Sequence, residues 1–216
     1  MRALVLGLVG VPLGASLIIG GCASQPSRFY LLSAGPNAET ASLETSGRQG
    51  PTIGVVPVTL PRYVDRPQIV TRTSPYELKV AEFDRWAEAL DTNFSRVLAD
   101  NLSTLLPTAR VVMSPWPRTI PIAYQVTVDV THFLSQVGGD SLLIADWTLF
   151  KGAGQEVLAS GTSRSSASPS GRDYAAIVAA MSQTVASLSR EIATAIREVG
   201  PSVSARQGVS GGATTP

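Results

Sequence analysis

The chain holds one cysteine, Cys22, in 216 residues. With no second thiol it can close no intrachain disulfide. It holds one histidine, His132, and only two lysines, Lys79 and Lys151. A single imidazole and a single thiol exclude the usual transition-metal ligand sets, so no metal is expected. No run of charged residues exceeds two, and 17 basic side chains face 16 acidic ones. A nucleic-acid binder needs a basic footprint to displace counterions, and that class drops out. Neither GxGxxG nor GxxxxGK followed by Ser or Thr occurs. Glycine loops that cradle phosphates are therefore absent, and no cofactor is expected.

What is present begins at the N-terminus. Arg2 forms a short positive region, Ala3 to Ile19 an uncharged apolar run, and small Gly20 and Gly21 follow. That order of charge, apolar stretch and small residues is a bacterial export signal. Gly7, Gly10, Pro12 and Gly14 weaken the run as a permanent membrane helix, so residues 1–21 read as a cleaved signal peptide. The tetrad Ile19-Gly20-Gly21-Cys22 resembles the lipobox of bacterial lipoproteins. There the thiol takes a diacylglycerol, cleavage precedes the cysteine, and the new amine is acylated, for example with palmitate. The resemblance implies lipidation of Cys22. Each buried methylene contributes about 0.8 kcal/mol and stable anchoring takes at least two chains, which a triacylated cysteine satisfies. Ala23 stands where inner-membrane lipoproteins usually carry Asp, which by the same resemblance implies the outer membrane, facing the periplasm. Cleavage removes Arg2, so 17 basic side chains become 16, equal to the 16 acidic ones. The folded part then contains no thiol, which suits an oxidising compartment.

Residues 22–51 are mostly small, polar or turn-forming and read as a tether, with a first short strand near 28–33 in "RFYLLS". "TIGVVPVTL" from Thr52 is strand-like, with Pro57 marking an edge or bulge. "QIVTRT" and "YELKV" form a hairpin through Ser74-Pro75. Phe83, Trp86, Leu90, Phe94, Val97, Leu98, Leu102 and Leu105 recur at spacings of three and four, predicting an amphipathic helix that Pro107 ends. Its opposite face carries Asp84, Glu88, Asp91, Arg96 and Asp100. "ARVVM" is a further short strand. In "IAYQVTVDVTHFL", Ile122, Tyr124, Val126, Val128 and Val130 face one way, and "LLIADWTLFK" returns with Leu143, Ala145, Trp147 and Leu149 on one face. "EVLASGTSRSSAS" completes a meander. After Gly171 a second helix shows Tyr174, Ile177, Val178, Met181, Val185, Leu188, Ile192 and Ile196 at helical spacing, with Asp173 aiding its N-terminus electrostatically or as a cap and Gly200-Pro201 as its stop. The expected fold is α+β: a two-layer sandwich, its mixed or antiparallel sheet covered by two long amphipathic helices. The domain spans 52–199, and residues 200–216 form a disordered tail.

"GGDSL" (Gly138 to Leu142) spells the name of a hydrolase family, in which Ser141 would be the nucleophile. Such a serine needs a base within hydrogen-bond reach. The sole histidine precedes Ser141 by nine residues, whereas that family places it far downstream. A Gly-Gly-Asp hairpin turn accounts for the same letters. His132 continues the apolar face of its strand and reads as a satisfied or rim residue. No enzyme is expected.

"LPRYVDRPQIVTR" (Leu60 to Arg72), "YEL" and "FDRWAEAL" closely resemble the PqiC-like family, the auxiliary lipoproteins of ABC-type transport systems. Val58, Leu60, Pro61, Tyr63, Asp65, Arg66, Pro67, Gln68, Ile69, Val70 and Arg72 match its strand motif. Arg85, Trp86, Ala87, Glu88 and Leu90 match its helix motif, with Ala89 where proline is common. The resemblance implies a non-catalytic accessory component of a lipid transporter acting between the two membranes. An MCE-domain protein would be its partner, and a homo-oligomer its form. Tyr63, Asp65, Arg66, Gln68 and Arg72 are the candidate partner-binding residues. Pro61 and Pro67 restrict the loop that carries the first three, so little entropy is lost on docking. Internal pairing of Asp65 and Arg66 is the competing role, and Trp86 reads as core. A lipoprotein that regulates peptidoglycan synthesis or envelope integrity by protein–protein contact is the alternative function.

Overall fold

The computed structural model describes residues 25–35, 50–152, 154 and 156–209, with side chains as far as Gly200. Cys22, the signal segment 1–21 and residues 36–49 and 210–216 lie outside the described residues. In chain order the elements are β1 (Arg28–Tyr30), β2 (Thr52–Val55), β3 (Gln68–Ser74), β4 (Glu77–Trp86), α1 (Leu90–Leu105), β5 (Arg110–Met113), β6 (Tyr124–Gln136), β7 (Ser141–Lys151), β8 (Glu156–Ala167) and α2 (Tyr174–Val209).

All eight strands join one sheet in which β6 is the branch point. One edge of β6 runs antiparallel to β7 along nearly its whole length, and β7 continues to β8. Its other edge is shared. Tyr124, Gln125 and Val126 pair with parallel β2, which leads to β5, and Ser135 and Gln136 pair with parallel β3, which leads to β4 and β1.

The sheet is not a flat layer under two helices, and the expected two-layer sandwich is corrected on this point. It is a mixed sheet curled into a half-barrel, although the class remains α+β. The cause lies in the long ribbon. Strands β6, β7 and β8 are 13, 11 and 12 residues long, and long antiparallel ribbons coil with their right-handed twist. Register shifts between Val130 and His132, and between Leu149 and Phe150, add local bends. Helix α2 lies against β7 and β8, while α1 packs on α2 and β5. Neither helix packs extensively along β3 or β4.

Two local expectations change. Phe83, Asp84 and Trp86 were expected on a helix and lie in β4, which is ten residues long; α1 starts only at Leu90. Parallel pairing with β1 holds that segment extended: Arg28 faces Asp84, Phe29 faces Arg85 and Tyr30 faces Trp86. Asp84 is buried rather than on a solvated face; it accepts from Tyr30 Oη at 2.9 Å and pairs with Arg28 Nε at 2.9 Å. Helix α2 was expected to stop at Gly200-Pro201 and its backbone continues to Val209. Asp173 does cap it, its Oδ1 accepting from the Ala176 amide at 2.8 Å.

The core fills the concave side. Phe94 of α1 meets Phe133 of β6 edge-on, with ring centroids 5.3 Å apart, and both are fully buried. Phe133 reaches that position because the irregularity beside Thr131 turns it inward. The same shift turns His132 off the apolar face it was expected to continue. Asn93 ties β1 to the core, its Oδ1 accepting from the Leu32 amide at 2.6 Å and its Nδ2 donating to the Leu32 carbonyl at 3.3 Å. Gly161 faces Trp147 across β7 and β8, where a Cβ would lie 2.9 Å from the indole ring.

Candidate functional site

The segment Pro61 to Pro67 folds as a compact turn. The Pro61 carbonyl accepts from the amides of Val64 at 3.0 Å and Asp65 at 3.2 Å, and the Val64 carbonyl accepts from Arg66 at 2.9 Å. Pro67 then closes the loop onto the end of β4, its carbonyl accepting from Trp86 at 2.7 Å. Val64 is buried beneath the turn, while Tyr63, Asp65 and Arg66 remain exposed. One apolar plug and two prolines thus hold three large or charged side chains outward with little left to order. The side chains of Asp65 and Arg66 form no hydrogen bond or ion pair with another described residue.

Gln68 opens β3 half-buried, opposite Arg85. Arg72, also half-buried, stands between Leu78 of β4 and Gln136 of β6, four residues along the same strand. Tyr63 is close enough to feel it. Burial pushes the Tyr63 phenol up from its ordinary pKa, and the Arg72 guanidinium partly offsets that. His132 belongs to the same neighbourhood. Burial, then the charges of Arg72 and Arg164, hold its imidazole below the ordinary range. The structure therefore gathers Tyr63 and Arg72, places Asp65 and Arg66 on the adjoining turn, and sets Gln68 at the far end of β3. Cys22 lies outside the described residues.

Beside this group is a surface that periodicity did not mark. The β3–β4 hairpin ends in Pro75-Tyr76, and Tyr76 is 99% exposed. Leu78, Val80 and, from the neighbouring β6–β7 turn, Val137 are also exposed. These four are half of the eight large apolar side chains left exposed among the described residues. The two tips are joined, since the Val137 amide donates to the Arg72 carbonyl at 2.9 Å. The β3–β4 tip is braced from within by Thr73 Oγ1, which donates to Glu77 Oε2 at 2.8 Å. Clustered apolar and aromatic exposure next to Arg is the composition of a contact surface. Ser74-Pro75 marked the turn in the sequence, but the junction of two hairpin tips depends on a parallel pairing no local pattern reveals.

Among the described residues, the fold does not bring His132 beside Ser141. Gly138 sits at φ 72° in the β6–β7 turn, as a hairpin requires. Ser141 is buried opposite Ser135, and His132 pairs with Ile144 three rungs away. Among the described residues no three His, Cys, Asp or Glu side chains could hold a metal ion. No helix among them is long and apolar enough to cross a membrane.

The family model for the ABC-type transport auxiliary lipoprotein component matches residues 30–193. The intermembrane transport lipoprotein PqiC of Escherichia coli (strain K12) is 28% identical over 137 residues, covering 62% of this chain and 70% of that protein. Among solved structures, an uncharacterized protein superposes with a TM-score of 0.65 at 23% identity, over 80% of this chain and 99% of its own. Protein XCC0632 from Xanthomonas campestris gives 0.62 at 20% identity, over 82% and 99%. Both structural likenesses concern the fold.

Proposed function

The chain belongs to the family of ABC-type transport auxiliary lipoprotein components, and from that premise we propose that it is a non-catalytic docking subunit of an intermembrane lipid transporter. Acyl chains on Cys22 hold it to the outer membrane, on the periplasmic side. Its partner is the MCE-domain protein of the transport system. Tyr63, Asp65, Arg66, Gln68 and Arg72, with the neighbouring tip residues Tyr76, Leu78 and Val137, form the docking face.

The observation that carries the reading is the concentration of exposed apolar side chains on two joined hairpin tips, beside a pre-ordered loop of outward Tyr, Asp and Arg. Tyr and Arg are favoured interface anchors, and rigid presentation lowers the ordering cost of docking. The name of the relative PqiC supports the transport assignment. A homo-oligomer is the proposed form. Phe29 on edge strand β1, and Leu31 just after it, are exposed where a second copy could cover them.

Affinity isolation of the full chain from crosslinked cell envelopes tests the proposal. An MCE-domain protein should be the main adduct. Recovery of peptidoglycan synthases without any MCE protein would replace the transport role with the regulatory one.

A further inference from the structure

Where the helices leave β3 and β4 uncovered, a cleft of about 710 Å³ opens between the sheet and the start of α2. Its floor takes in one end of a transverse row of the sheet. Lys79 of β4 stands opposite Thr71 of β3, Thr71 opposite Ser135 of β6, and Ser135 opposite Ser141 of β7. Lys79 and Thr71 line the cleft, and the two serines continue the row inward.

The three hydroxyls are buried, at 1%, 0% and 1% exposure, and none has a hydrogen-bond partner. That is unusual within this protein. The buried helical hydroxyls Ser95, Ser182, Thr184 and Ser189 each donate back to a carbonyl of their own helix. Tyr174 lies near Thr71 without closing a hydrogen bond to Thr71 Oγ1. A buried hydroxyl without a partner destabilises a fold, and Thr71, the one of the three that lines the cleft, marks a place where an acceptor is missing.

The wall facing the row tells what the acceptor is. Arg172 approaches from the α2 side and Lys79 from the sheet, so two cations face the cleft. The one carboxylate there, Asp140, is engaged on the rim, accepting from Ser168 Oγ at 2.7 Å. Hydroxyl, ammonium and guanidinium donors lining one cleft suit an anion with several acceptor oxygens.

We propose that this cleft binds a phosphate ester, with Thr71, Lys79 and Arg172 as its donors. A glycerophospholipid headgroup and a soluble phosphate ester share that chemistry. The cleft borders the docking face at Val137, but the proposal holds whether or not an MCE protein is the partner.

Calorimetric titration of the full chain in detergent micelles tests it, using glycerol 3-phosphate and dihexanoyl phosphatidylglycerol, with dihexanoyl glycerol as the phosphate-free control. The variants are Thr71→Val, which keeps the shape and removes the unpartnered hydroxyl, and the exposed Arg172→Gln. Saturable binding of either phosphate ester, weakened about tenfold or more by each variant, supports the site. Binding of glycerol 3-phosphate identifies a soluble ester, and binding of the dihexanoyl lipid alone identifies a headgroup. Thr71→Val should leave thermal stability equal or higher, an outcome that separates lost binding from lost folding. No saturable binding, equal binding of the phosphate-free control, or binding that both variants leave unchanged would overturn the proposal.

Discussion

The two ends of β6 support limbs of opposite character. At its N-terminal end, β2 and β5 are closed off by packing: Ile53 and Val55 are buried, and α1 lies against β5. At its C-terminal end, the β3–β4 hairpin has no helix packed extensively along it. Leu78 and Val80 stay exposed there, and Tyr76 projects from the tip. One limb uses its apolar surface to fold; the other keeps part of its surface for something else. The same strand thus joins a structural half to a contact half.

Substitutions can break this contrast, from large effects to none. Phe94→Ala, on the closed side, should lower unfolding free energy by about 3–5 kcal/mol in urea denaturation, because it empties a fully buried site against Phe133. Asn93→Leu should lower it by about 1–3 kcal/mol, since it leaves the Leu32 amide and carbonyl unpartnered. Amide exchange at Leu32 should accelerate in step.

His132 gives a smaller, pH-dependent effect. Its folded pKa lies below the ordinary 6.5, by burial first and then by Arg72 and Arg164. As pH falls through 6.5 the unfolded chain takes up the proton before the folded one. Stability from this group is therefore complete above that value and declines below it. Thermal melts between pH 7 and 5 should show a flatter decline for His132→Gln than for the parent. On the open limb, Tyr76→Ser with Leu78→Ser should change stability by no more than about 0.5 kcal/mol per site.

Much of the closed half was legible in the sequence. Alternation in Tyr124–Val130 and Leu143–Leu149 marked the buried faces, and the second helix showed its stripe from Tyr174 to Ile196. Long-range pairing was not legible. A spacing of three from Phe83 to Trp86 fits a helix, and only parallel pairing with β1, 56 residues earlier from Asp84 to Arg28, holds it as a strand. Curvature escaped for a similar reason, since it follows from strand length and the shift beside Thr131 rather than from composition. On the candidate docking face, the loop Pro61 to Pro67 could be picked out from its prolines and its Tyr, Asp and Arg. Val137 could not, because its place beside Arg72 depends on the β3–β6 register. The row Lys79, Thr71, Ser135 and Ser141 draws its residues from four strands and exists only in the folded sheet.

The most direct test of the account places one photo-crosslinking residue at a time along the surface of the full chain in cells. Position Tyr76 should give an adduct with a partner protein, and Val157, an exposed apolar residue at the start of β8, should give none. Adducts confined to Val157, or equal at both positions, would contradict the division between a folding limb and a docking limb.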